Sequence, residues 1–151
     1  MKNKYLIFRT DRIGDLLVSA ILIKSIKKND PSSDVTLITS DKNYTYAKNF
    51  PFIDQIILLK NNFISKLSLI SKLRENEFNN VIIHDCKARS KIIAYFLKSK
   101  NKIIINHPER FSHIEIIKYI LKKMNYLFYD ESLNIFSHKK YQINKDKILQ
   151  L

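Results

Sequence analysis

Short β-branched runs separated by longer stretches of helical period recur along this chain, at a spacing that leaves few ways to fold it. Tyr5 to Phe8 is the first run, followed by Val35 to Thr39, Gln55 to Leu59, Val81 to His84 and Lys102 to Ile105. The helical stretches are Asp15 to Lys28, Lys42 to Asn49, Phe63 to Asn76, Arg89 to Leu97 and His113 to Met124. In the first, apolar positions 16, 17, 20, 21, 23 and 26 cover more than one stripe, so that helix is expected to be largely buried. In the third, Ile64, Leu67, Ile70 and Leu73 are the expected inward side, and in the fifth Ile117, Ile120, Leu121 and Met124. A weak last strand is expected at Leu133 to Phe136. Strands alternating with helices demand right-handed crossovers, which place helices on both faces of a parallel sheet. The expected fold is therefore α/β, a Rossmann-like doubly wound parallel sheet with strand order 3-2-1-4-5.

The stretch RTDRIGDLLVSA holds the single glycine of the chain, Gly14, where average usage would supply roughly ten. Turns elsewhere fall to Asn-rich pairs such as Asn29-Asp30, Asn61-Asn62 and Asn79-Asn80, because Asn tolerates left-handed backbone. Gly14 is expected to let the chain leaving the first strand turn sharply into a helix, through positive φ or a close backbone approach. One glycine excludes both the three-glycine dinucleotide fingerprint and the P-loop, which disfavours Rossmann dehydrogenases and P-loop NTPases.

The balance of 27 basic and 14 acidic residues, net +13, points to an anionic partner. Only five of the basic residues are Arg, and a chain dominated by Lys, Ile and Asn is what an AT-rich genome encodes, so part of the charge is compositional. Aromatics do not interleave with the basic residues as in a nucleic-acid reader, so nucleic acid is not the expected partner. Cys86 alone excludes an internal disulfide and fits a reducing compartment. The apolar run near the N-terminus is too short for a signal-peptide core, and no stretch is long enough to span a membrane. A cytoplasmic protein is expected.

In such sheets ligands bind beyond the carboxyl ends of the strands, where the strand order reverses. Here that point lies between the first and fourth strands, flanked by Thr10-Asp11-Arg12-Ile13-Gly14-Asp15 and Asp85-Cys86-Lys87-Ala88-Arg89-Ser90. Asp15, in the first helical turn, reads either as a complement to the helix dipole or as a general base beside an anion-binding edge. Lys87 and Arg89 at a helix start suit a phosphate or carboxylate, while Arg89 could equally bridge to Asp85. Asp11 and Arg12 could contact substrate or pair with each other. His84, Cys86, His107 and His113 lack the spacing of a zinc site. Arg110 reads as a solvated loop charge. The Lys pairs at 27 to 28, 122 to 123 and 139 to 140 read as helix ends, and secondarily as a contact with anionic lipid.

The stretch YLIFRTDRIGDLLVSAILIKSIKKNDPSSDVTLITS resembles the opening of glycosyltransferase family nine, the heptosyltransferases of the lipopolysaccharide core. The specific part is the Ile-Gly-Asp loop, and the likeness continues through YAKNFPFIDQIILLK and FNNVIIHDCKARSKIIAYFLKSKNKIIIN. The resemblance implies one half of a two-domain GT-B architecture: an N-terminal, acceptor-side domain over residues 1 to 138, with 139 to 151 a linker or the start of a missing donor-binding domain. It implies Asp15 as the catalytic base of an inverting transfer, and Thr10, Asp11, Arg12, Gly14, Lys87, Arg89 and Ser90 around the substrate. It implies no metal and no cofactor beyond the donor, ADP-heptose or a similar nucleotide-sugar. The implied partners are a glycolipid or oligosaccharide acceptor and the missing domain, with peripheral contact at the inner face of the cytoplasmic membrane. A non-catalytic module for anionic glycolipid, or one chain of a split enzyme, is the alternative.

Overall fold

The computed structural model describes residues 2–106 and 110–130, so the strand expected at Leu133 to Phe136, the boundary at residue 138, His107 and the Lys pair at 139 to 140 lie outside the described residues. Five strands, β1 (Lys4–Arg9), β2 (Asp34–Thr39), β3 (Gln55–Leu58), β4 (Glu77–Ile83) and β5 (Lys98–Ile104), alternate with five helices, α1 (Ile13–Asn29), α2 (Asp41–Ala47), α3 (Phe63–Arg74), α4 (Ala88–Tyr95) and α5 (His113–Lys123). The strands pair in parallel in the expected order β3-β2-β1-β4-β5.

The period-two alternation of β1 divides the core. Tyr5 and Ile7 face α1 and α5, while Leu6 and Phe8 face α3 and α4. β2 and β4 repeat the division, with Val35, Leu37 and Ile82 on the first side and Ile38, Val81 and Ile83 on the second. Burial of both faces explains why β1 reads as a continuous apolar run. α1 ends at Asp30, just before Pro31, and α5 opens with a capping box in which Ser112 and Glu115 satisfy each other's backbone.

Two strands start earlier than the apolar pattern suggests. β4 begins at Glu77 rather than Val81, and β5 at Lys98 rather than Lys102, because their polar first halves pair with each other at the sheet edge. Glu77 stands opposite Lys98, and the Asn101 amide donates to the Asn80 side chain across the ladder.

The inward side of α3 also differs from the expected stripe. Leu69 and Leu73 are buried and Ile70 packs beside them, whereas Ile64 is 79% exposed and Leu67 51%. The sequence offers two apolar stripes on this helix. Packing on β1 and β4 selected the 69/73 pair.

Gly14 does not bend the chain. α1 starts at Ile13, so Gly14 sits in its first turn, has no positive φ, and a Cβ added there would meet nothing within 4 Å. The left-handed backbone lies in the other loop, at Cys86 with φ 54°.

Leu73→Ala should lower unfolding free energy by about 2–4 kcal/mol, while Ile64→Ala should change it by no more than about 0.5 kcal/mol. Urea unfolding of the two variants reads which side of α3 faces the sheet, and equal effects would contradict the placement. Gly14→Ala should leave stability unchanged or raise it by up to about 1 kcal/mol, since a helical position with open space favours alanine. A loss of stability in the same measurement would restore a conformational need for glycine.

Candidate functional site

Where β1 and β4 part company, the chain must turn two strand ends away from each other, and two buried charges hold them. Arg9, last residue of β1, is 4% exposed. Its Nε donates to Ser19 Oγ on α1 at 2.6 Å, and its Nη1 donates both to Asp11 Oδ2 and to the His84 carbonyl, each at 2.9 Å. A guanidinium out of water is tolerable only with its donors engaged, and one side chain thereby ties β1, α1, the β1–α1 loop and the end of β4.

Asp85, 5% exposed, does the same from the other strand. Its Oδ2 accepts from the Thr10 amide, the Thr10 hydroxyl and the Ser90 hydroxyl at 3.2, 2.6 and 2.7 Å, and its Oδ1 accepts from the Lys87 amide at 3.1 Å. Bonds on both sides of Cys86 hold that residue in its left-handed conformation. Arg89 Nη2 donates to the Thr10 hydroxyl at 2.8 Å and to the Thr10 carbonyl at 3.1 Å. Arg89 therefore bridges to Thr10 rather than to Asp85.

Between these knots opens a cleft of about 600 Å³ at the carboxyl ends of β1 to β4. Asp11, Arg12, Asp15, Lys87 and Arg89 line it together with Thr10 and Asp85. Ser40, Asp41 and Lys42 after β2, and Leu59 and Asn61 after β3, complete the wall. Four cationic residues (Arg12, Lys42, Lys87, Arg89) face four carboxylates (Asp11, Asp15, Asp41, Asp85), so the cleft is far more balanced than the chain as a whole. The Arg12 side chain makes no capping hydrogen bond to the first turn of α1, and the helix start adds backbone donors to this edge.

The sequence-predicted residues divide in two. Asp15 is half-buried on the cleft wall, and among the described residues no hydrogen bond or ion pair engages its carboxylate. Arg12 and Lys87 are exposed beside it. Ser90 is fully buried, its hydroxyl committed to Asp85, and Thr10 is buried with its hydroxyl shared between Asp85 and Arg89. Those two shape the site from beneath, because their polar atoms are already occupied. Of the two alternatives for Asp11 and Arg12, contact with substrate or pairing with each other, the pair does not form, since Arg9 engages Asp11. Burial raises the Asp11 carboxyl above its ordinary range against the pull of Arg9, and the Asp15 charge nearby adds to the rise.

Sequence reasoning passed over Arg9, which announced itself only as a charge closing an apolar strand, and the residues after β2 and β3. It also left His84 without a role. His84 is 3% exposed and bonds Ser19 Oγ through Nδ1 at 2.9 Å. Burial, followed by the Arg9 cation and by His113, holds its imidazole neutral well below the ordinary histidine range. Cys86 is half-buried, and burial with the adjacent Asp85 keeps its thiol protonated. Among the described residues no helix is long and apolar enough to cross a membrane.

No protein-family model matches the sequence. A curated relative, lipopolysaccharide heptosyltransferase 1 of Campylobacter coli, is 27% identical over 101 residues, covering 65% of this chain and 30% of that protein. Among solved structures, the E. coli heptosyltransferase WaaC with ADP superposes with a TM-score of 0.69 at 10% identity, over 84% of this chain and 49% of that one. The same enzyme with ADP-2-deoxy-2-fluoro heptose gives 0.70 at 10% identity, over 84% and 50%. A family 9 glycosyl transferase from Veillonella parvula gives 0.68 at 12% identity, over 86% and 43%. The fold is heptosyltransferase-like, the parallel α/β sheet of the GT-B enzymes, and this chain spans at most half the length of the relatives it matches.

The buried neutral His84 makes stability depend on pH with a defined sign. Below the ordinary histidine value of about 6.5 the unfolded chain takes up a proton at His84 that the folded chain refuses, so acid favours unfolding and stability rises with pH up to that point. The raised Asp11 carboxyl acts in the opposite sense from the carboxylate range upward. Comparing the native chain with His84→Asn cancels that contribution. The native chain should lose more stability than the variant as pH falls below about 6.5, read from urea midpoints across a pH series. A difference independent of pH would contradict a buried neutral imidazole.

Proposed function

We propose that this chain is the acceptor-side half of an inverting, metal-independent glycosyltransferase that moves a sugar from a nucleotide-sugar, ADP-heptose or a close analogue, to a glycolipid or oligosaccharide acceptor of the lipopolysaccharide-core type. The observation that carries this reading is the position of Asp15: a carboxylate without a partner among the described residues, on the rigid first turn of α1, in the cleft where the strand order reverses. The likeness to heptosyltransferases, two of whose solved structures hold ADP or an ADP-heptose analogue, supports the substrate class.

In this reading Asp15 takes the proton of an acceptor hydroxyl as its oxygen attacks the anomeric carbon of the donor. The new carbon–oxygen bond forms on the face opposite the breaking bond to the nucleoside diphosphate, which leaves with its electron pair. Arg12, Lys87 and Arg89 supply positive charge along the same edge for acidic groups of the acceptor. Arg9 and Asp85 act indirectly, by fixing the two loops whose side chains meet the substrates. In this reading the donor-binding half belongs to a second domain, in the same chain or in a separate one, and the share of the relatives' length covered here supports it. Peripheral attachment to the inner face of the cytoplasmic membrane would bring the cleft to its acceptor.

Asp15→Asn, in a protein carrying both halves, should lower kcat by about 10²–10⁴-fold with little change in stability. Sugar transfer from ADP-heptose, followed by release of ADP, checks it. Turnover close to native would reject the base assignment. Transfer recovered by mixing this chain with a separate donor domain would establish a split enzyme, and acceptor binding without transfer would favour a binding module.

A further inference from the structure

Beneath the Asp15 loop lies a second, smaller chamber of about 140 Å³, walled by Arg9, Asp11, Asp15, His84, Cys86 and His113. We propose that this chamber is a subsite for a hydroxyl group of the acceptor sugar, with His84 Nε2–H donating to the hydroxyl oxygen and Asp11 Oδ1 accepting its proton. The inference rests on the acceptor-side reading above. Two independent observations carry it: both His84 Nε2 and Asp11 Oδ1 are buried without a hydrogen-bond partner among the described residues, and both residues line the same chamber. Buried polar atoms are costly to leave unpaired, so a pair of them on one wall calls for a ligand that satisfies both.

The hydrogen bonds around Ser19 point to the nitrogen of His84 that carries the proton. Arg9 Nε can only donate, so Ser19 Oγ accepts from it. Among the described residues the other hydrogen-bond partner of Ser19 Oγ is His84 Nδ1, so using the hydroxyl hydrogen as well makes Nδ1 the acceptor and puts the hydrogen of the neutral ring on Nε2. A protonated Nε2 cannot ligate a metal, and the Cys86 thiol is held protonated by burial and Asp85. A phosphate or carboxylate would gain the histidine donor but meet Asp11 and Asp15. A hydroxyl both accepts and donates, and it is the group that matches a donor beside a carboxylate. The chamber of about 140 Å³ admits a sugar hydroxyl or hydroxymethyl group with room beside it, since a water molecule occupies about 30 Å³ in the liquid. A neighbouring hydroxyl seated here would hold the sugar so that the attacking one meets Asp15.

The test uses the full 151-residue chain with nitrogen-labelled histidine. Long-range proton–nitrogen correlation should show His84 protonated on Nε2, and adding methyl mannoside should shift that signal while inorganic phosphate should not. His84→Gln, whose amide nitrogen reaches the Nε2 position, should keep mannoside affinity within about threefold. His84→Asn, which reaches only the Nδ1 position, should weaken it by about tenfold or more. A proton on Nδ1, a shift with phosphate in place of mannoside, no response to mannoside because water alone fills the chamber, or equal affinity in His84→Asn would each overturn the proposal. If His84→Asn does not fold, the tautomer and the mannoside response of the native chain still decide. The transfer assay on Asp15→Asn and this titration are separate measurements, so either reading can fail alone.

Discussion

Burying a guanidinium and a carboxylate side by side, at the one place where neighbouring strands of a parallel sheet feed helices on opposite faces, is the constraint on which the rest of this structure turns. Arg9 and Asp85 sit at adjacent strand ends and neither can be left unpartnered out of water. Satisfying them consumes Ser19, Asp11, Thr10, Ser90 and two backbone segments. What remains unconsumed in that neighbourhood is informative. Among the described residues Asp15 has no partner on the cleft wall, and Asp11 Oδ1 and His84 Nε2 line the smaller chamber without partners.

The arrangement separates support from chemistry. Arg9, Asp85, Thr10 and Ser90 spend their hydrogen bonds on fixing the two loops, while Asp15, Asp11 Oδ1 and His84 Nε2 keep theirs for a ligand. This is why Thr10 and Ser90, whose hydroxyls are committed to Asp85 and Arg89, belong to the scaffold. It also explains how Cys86 is held at positive φ without glycine, since bonds from Asp85 on either side over-determine that turn. The excess positive charge of the chain is spread over helix ends and surface lysines. Lys27, for one, closes onto Asp54 and the Ser33 carbonyl rather than standing in water.

Much of the fold was legible because it is written in a local period. Strand runs such as Tyr5 to Phe8 and the long apolar α1 carry their own signals, and the handedness of crossovers turns five strands and five helices into one sheet order. The polar first halves of β4 and β5 were not legible, because their pairing is with each other across the ladder and Phe78 alone marks it with an apolar side chain. The inward side of α3 was legible in part: Ile70 and Leu73 pack inward as expected and Ile64 and Leu67 do not, because two stripes compete and only contact with the sheet chooses.

By itself, then, the sequence determined the α/β alternation, the switch point between β1 and β4, and which loops would meet there. Their contents followed from adjacency, so Asp15, Arg12 and Lys87 could be placed at the cleft by number alone. Only the tertiary structure decided which polar side chains are spent and which are free. Hydrogen bonds such as Thr10 to Asp85 and Ser19 to His84 span 75 and 65 residues. No local pattern encodes a partner that far away, because the chain brings it near only after the sheet has formed.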